Sequence, residues 1–124
     1  MGEDAEIAAL ILSQLFGKIK KGALLDYLQA DKYDLWHIDL IGANLKHASF
    51  KGTHFHEAHL EKAILYDADF LDADLTKARL QGADLSKARN LTAEQLLEAE
   101  LDDTTLLDPD LRTEYDRLKA EQGE

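Results

Sequence analysis

Every fifth residue from Leu35 to Leu85 is Leu or Phe: Leu35, Leu40, Leu45, Phe50, Phe55, Leu60, Leu65, Phe70, Leu75, Leu80 and Leu85. The positions two earlier are Tyr33, Ile38, Ala43, Ala48, Thr53, Ala58, Ala63, Ala68, Ala73, Ala78 and Ala83, of which eight are Ala. A helix repeats its apolar face every 3.6 residues and a strand every two. A period of five fits neither. The other three columns are mostly polar, so the pattern is two residues in and three out. A unit this short cannot bury its apolar residues alone. Copies must stack, each touching only its neighbours.

The units ANLKH, ADFLD, ADLTK and ADLSK resemble the A(D/N)LXX repeat of the pentapeptide-repeat family. The resemblance implies an all-β solenoid, a right-handed quadrilateral β-helix. One pentapeptide would form one side of a square, and four would form a coil. Leu45, Phe50, Phe55, Leu60, Leu65, Phe70, Leu75, Leu80 and Leu85 would then be the core ladder, with the small residues filling corners beside them. Ala leaves the room that a close-packed core needs around a large neighbour. Coils would stack at about 4.8 Å, the spacing of paired strands. Phe50 and Phe70, twenty apart, would lie on one face, one coil apart.

Solenoid ends need covering. Residues 5–16 carry apolar side chains at 7, 8, 11, 12, 15 and 16, a helical stripe, and 23–29 read as a second short helix. We therefore expect an N-terminal helical cap over 1–32 and a β-helix over 33–107. A helical insertion near 92–98 is expected, where Thr92 and Gln95 form a capping box. In the segments AELDD and TTLLD, Leu101 and Leu106 are expected to be central residues of a last, phase-shifted partial coil. A C-terminal helix and tail follow over 108–124, with Asp108 as cap and Pro109 in the first turn.

The net charge is −11, distributed as −1 over residues 1–32, −2 over 33–90 and −8 over 91–124. No segment has the basic surplus that direct nucleic-acid binding requires. There is no cysteine. The first residues carry acids where a signal peptide needs positive charge, and their apolar run is too short to span a bilayer. The expected location is the cytoplasm of a bacterium, with no membrane partner.

Chemistry-bearing constellations are sparse. His54 and His56 flank Phe55, and His37 would sit one coil away, stacked with Glu57. Two His and a carboxylate can ligate zinc, but a flat outer face holds such groups loosely, and solvated side chains are the expected reading. No phosphate loop, nucleophile elbow or cofactor fingerprint occurs, so neither catalysis nor a cofactor is expected. Asp69, in the column before the central residue, is expected to face solvent and to tolerate Asp69→Lys. Trp36, Ile41, Ile64, Tyr66 and Leu71 occupy outward columns, where they either mark an interface as exposed apolar side chains do or lie under terminal helices folded back over them. Leu111, Tyr115 and Leu118 form the apolar stripe of the last helix. That stripe would cover the final coil or pair two subunits into a homodimer.

The expected function is a non-catalytic protein–protein interaction module. The family resemblance supplies an alternative, a DNA mimic that modulates DNA gyrase or another type II topoisomerase. The mixed charge of 33–90 argues against that alternative.

Overall fold

The computed structural model describes residues 24–123. Its organising element is a parallel bridge between residue n and residue n+20, repeated from Leu24 with Asn44 to Asp69 with Arg89. Twenty residues per coil means four sides of five. Each side contributes one isolated bridge and no continuous strand. The central N–H of a side donates to the next coil: Leu35 to the His54 carbonyl (2.8 Å), Phe50 to Asp69 (2.8 Å) and Leu65 to Asp84 (2.8 Å). The residue before the central one donates back, His54 to Tyr33 (2.9 Å) and Asp74 to Thr53 (2.9 Å). Backbone groups of an inner coil are thus paired above and below, as their burial requires.

Each corner is a turn closed by a bond from residue i+3 to i, such as Ile38 N–H to the Leu35 carbonyl at 3.1 Å. Its third residue is left-handed: φ is +61° at His37, +59° at Asp67 and +57° at Lys77. That conformation costs a residue with a Cβ roughly 1 kcal/mol. The same residues recover pairing by donating to the next coil, as His37 does to the His56 carbonyl (3.1 Å). At Gly82, φ +73°, a Cβ would also lie 3.1 Å from Lys62 Cγ, so a larger residue there requires the Lys62 side chain to shift by a few tenths of an ångström.

The interior is a ladder. Leu45, Phe50, Phe55, Leu60, Leu65, Phe70, Leu75, Leu80 and Leu85 are all fully buried, and the Ala column beside them is buried too. The Phe50 and Phe70 ring centroids lie 5.7 Å apart across one coil step, and Phe55 sits 4.9 Å from Phe50 around the corner. Thr53 replaces Ala in the small-residue column. Its buried hydroxyl donates to the Ala30 carbonyl at 2.8 Å.

The coil begins earlier than the sequence pattern implies. Residues 24–29, expected as a short helix, form coil sides, bridged through Leu24 to Asn44 and Gln29 to Ser49. The reason is an exchange of volumes. Leu28 and Tyr33 occupy the small-residue column and pack against the core, while fully buried Ala30 occupies the large-residue column. The total fill is kept although the motif is lost. The rest of the expected N-terminal cap, residues 1–23, lies outside the described residues.

At the other end, helix α1 (Ala93–Leu97) replaces one side of the square. Thr92 Oγ1 accepts from Gln95 N–H (3.1 Å), and Gln95 Oε1 accepts from Thr92 N–H (2.8 Å). The Gln95 amide nitrogen reaches down to the carbonyls of Phe70 (2.8 Å) and Ala73 (3.1 Å). It supplies the donor that a further coil side would have supplied. The chain then rejoins the coil with bridges Arg79 to Glu100 and Asp84 to Leu106, offsets of 21 and 22. The extra residue moves Leu106 out of the central position expected for it. Leu106 takes the outward bridging slot and is 53% exposed, while Leu107 packs against the core in its place. Leu101 also packs against the core. Thr105 is buried in the corner, its hydroxyl donating to the Leu80 carbonyl at 2.8 Å.

Helix α2 (Pro109–Gln122) follows, with Pro at its first turn. Asp108 stands at the N-cap but makes no side-chain cap bond, contrary to expectation. Its carboxylate instead accepts the Lys87 backbone N–H, at 3.0 and 3.2 Å, where no further coil offers a carbonyl. Tyr115 is buried, and Leu111 and Leu118 pack against the core. No helix among the described residues is long and apolar enough to cross a membrane.

Phe70→Ala is expected to lower stability by about 3–5 kcal/mol in urea unfolding. Phe70→Asp and Leu60→Asp, which bury an unpartnered charge, are expected to abolish folding. A native far-UV circular dichroism spectrum for Phe70→Asp would contradict the ladder.

Candidate interaction surface

The square cross-section sorts the outward side chains into four faces. One face carries residues 24–27, 44–47, 64–67 and 84–87, and ends at Leu106. On it stand Leu24 (79% exposed), Tyr27 (64%), Tyr66 (38%) and Leu106 (53%). These are four of the six large apolar side chains exposed among the described residues. Ile64 lies half-buried between them. The Tyr27 and His47 rings stack at 4.7 Å, and Tyr66 meets His47 edge-on at 6.1 Å. His47 Nδ1 lies 2.7 Å from Asp67 Oδ2, and Arg89 Nε lies 3.3 Å from Asp67 Oδ1. The aromatic column is thereby fixed in place.

The remaining candidates are dispersed. Trp36 is exposed on the face of 34–37, its ring edge-on to His37 at 4.0 Å. Ile41 is half-buried on the next face, and Leu71 is exposed on the face of 69–72. Leu111, Tyr115 and Leu118 do not present a free surface: the stripe of α2 is spent on the chain's own end. Arg112 reinforces that docking. Its guanidinium donates to the Thr105 carbonyl (2.6 Å) and lies 5.8 Å from the Tyr115 ring centre. Leu24, Tyr27 and Leu106 were not singled out from the sequence. Counting fives backward from Leu35 past Ala30 would have placed Leu24 and Tyr27 outward. No pattern announces the extra residue that turns Leu106 out.

Four of the five histidines, His37, His47, His56 and His59, lie beside carboxylates. His37 Nε2 lies 3.1 Å from one oxygen of Glu57, and His56 Nε2 lies 3.2 Å from the other. His54 is exposed in the column between Asp34 and Asp74. Among the described residues, no three His, Cys, Asp or Glu side chains are placed to hold a metal ion. The corner beside Glu57 forms a shallow recess of about 130 Å³, lined by His37, Glu57, His59, Lys77, Arg79 and Glu100. Its charges alternate in sign, and it offers no nucleophile paired with a base.

Asp69 departs from expectation. It is 2% exposed, not solvated. It accepts from Leu71 N–H (3.1 Å) and from the Asn90 amide (3.0 Å), with Lys51 and Arg89 at 3.7 and 3.8 Å. Burial pushes its carboxyl up. The Asn90 and Leu71 hydrogen bonds and the charges of Arg89 and Lys51 outweigh that and hold it below the ordinary carboxylate value. Asp69→Lys would place a cation among cations and is not tolerated on this geometry.

The sequence matches the family description "Pentapeptide repeats" in eight copies, over residues 34–67 and 54–89. The chain belongs to the pentapeptide-repeat family. Among solved structures it is similar to a pentapeptide-repeat protein from the thylakoid lumen of Arabidopsis thaliana, at 24% identity and TM-score 0.51, covering 75% of this chain and 74% of that one. It is also similar to HetL from the cyanobacterium Nostoc sp. strain PCC 7120, a pentapeptide-repeat protein involved in heterocyst differentiation regulation. That match has 31% identity and TM-score 0.50 over 72% of this chain. This chain spans 46% of the length of HetL, a little under half. No curated protein sequence matches it. The pentapeptide repeat makes the coil a right-handed quadrilateral β-helix.

A carboxylate held below its ordinary value stabilises the fold above the ordinary carboxylate range and loses that contribution as pH falls through it. Asp69→Asn in this pentapeptide-repeat protein is therefore expected to be less stable at neutral pH. Its urea midpoint should also decline less steeply than the wild type's between about pH 5 and pH 3. Parallel declines would remove Asp69 from the account of acid stability.

Proposed function

We propose that this pentapeptide-repeat protein is a non-catalytic interaction module that binds a protein partner through the outer faces of its coil. The observation that carries the reading is the gathering of Leu24, Tyr27, Tyr66 and Leu106 on one face. Exposed apolar side chains collected on a rigid, flat surface are the usual mark of a docking site. Aromatic side chains such as Tyr27 and Tyr66 are the usual anchors within one. Pentapeptide-repeat proteins generally serve as structural or interaction modules, and a regulatory contact of the kind implied by HetL's involvement in differentiation is the corresponding class of role. In this reading α2 closes the last coil, and the absence of cysteine suits a reducing cytoplasm.

A DNA-like surface is not favoured. Mimicry of a duplex needs carboxylates in an uninterrupted run. Here no column is an uninterrupted run of acids: Asp39, His59, Arg79 and Glu100 stack in one, and His47, Asp67 and Lys87 in another.

Affinity capture from an extract of the source organism, with wild type and Tyr66→Lys side by side, tests the proposal. A protein retained by the wild type and lost from the variant is expected. The same proteins retained equally by both would sink it. In a gyrase supercoiling assay, micromolar protein is expected to change nothing; inhibition or protection would restore the mimic reading.

A further inference from the structure

The face of Leu24, Tyr27, Tyr66 and Leu106 has an internal order beyond its apolar character. Its bridging column reads Leu24, Asn44, Ile64, Asp84, Leu106. Apolar and polar residues alternate, and the sequence of types is the same in both directions. At strand spacing the column is about 19 Å long, with Ile64 at its middle. A surface ordered like this is complementary to itself turned end for end, which is the requirement of an isologous contact.

We propose that the occupant of this face is a second copy of the chain, docked antiparallel about a twofold axis that lies in the face and passes by Ile64. The rotation exchanges the first coil with the fifth and the second with the fourth. Leu24 then meets Leu106 of the partner subunit, and Ile64 and Tyr66 meet their own counterparts. Asn44 meets Asp84 of the partner subunit, and this pair carries the specificity. Asn44 Oδ1 is committed to the Lys46 N–H (3.2 Å), which leaves its amide nitrogen to donate. Asp84 Oδ1 is committed to the Ser86 N–H (2.9 Å), which leaves Oδ2 to accept. Both side chains are oriented by their own turns before any partner arrives. Lys46, in the coil of Asn44, adds positive charge opposite the partner's Asp84. Like charges meet at two places: Asp67 with its counterpart, relieved by His47 and Arg89, which already hold that carboxylate, and Asp26 with Asp108 of the partner subunit, a carboxylate that already accepts the N–H of Lys87 in its own subunit. The stripe of α2 contributes nothing, being packed on its own coil.

A face of this length is at the small end of specific interfaces, so the dimer is a reversible one. The inference rests on the reading of this face as a contact surface and names its occupant. Sedimentation equilibrium of the full chain across the micromolar range tests it, with circular dichroism as the check on folding. The wild type is expected to associate to a dimer, and Ile64→Lys to stay monomeric. Asn44→Asp sets two carboxylates opposite each other and is expected to weaken association about tenfold. The exchange N44D/D84N, which restores an amide opposite a carboxylate only in the antiparallel arrangement, is expected to recover it. A wild type that is monomeric throughout, a dimer indifferent to Ile64→Lys, or an exchange no better than Asn44→Asp would overturn the proposal. A monomeric wild type that loses a captured protein on Tyr66→Lys would end the dimer and leave the interaction role standing.

Discussion

The fold depends on one register: residue n hydrogen-bonds to the coil twenty residues away. Every other property follows from it. The register aligns Phe50 over Phe70 inside and Tyr27 over His47 outside, so the core and the surface are both one-dimensional stacks. It also spends the backbone's donors and acceptors between coils. What holds the coil is therefore the bonds of each side to its neighbours, together with the ladder of Leu and Phe. A single polar residue in that ladder would sever the stack at one level, which is why a small core can be so sensitive to one substitution.

Most of the architecture was legible in the sequence because the repeat leaves little freedom. Eleven Leu or Phe in phase at period five determine the family, and the family carries the square coil. Legibility failed where volume was conserved but identity was not. Ala30 with Leu28 and Tyr33 fills the same space as the usual pair with the sizes exchanged, so the first sides read as a helix. It failed again where a side chain does the work of backbone. Gln95 substitutes for a missing coil donor, and Asp108 substitutes for the missing carbonyl that would accept the Lys87 N–H. Neither substitution has a local signature.

The surface was legible only in part. Trp36, Ile41, Ile64, Tyr66 and Leu71 stand out from the pattern one by one, but their grouping depends on the coil's phase at both ends. Ile64 and Tyr66 fall in with Leu24, Tyr27 and Leu106, while Trp36 and Leu71 are stranded on other faces. Asp69 shows the reverse error. An outward column does not guarantee solvent, because Asn90, Arg89 and Lys51 close over it.

The offsets of 21 and 22 at the last two bridges have a further meaning. A solenoid has no intrinsic length, and any intact end is a template for more of itself. Here the phase slips by one residue and then another, and at the offset of 22 the next side would have to pair Arg89 with Leu111. Leu111 is already in the helical backbone of α2 and cannot lie along a coil side. A slipped count followed by a helix acts as a stop signal written into the chain, and it sets how tall the column can grow.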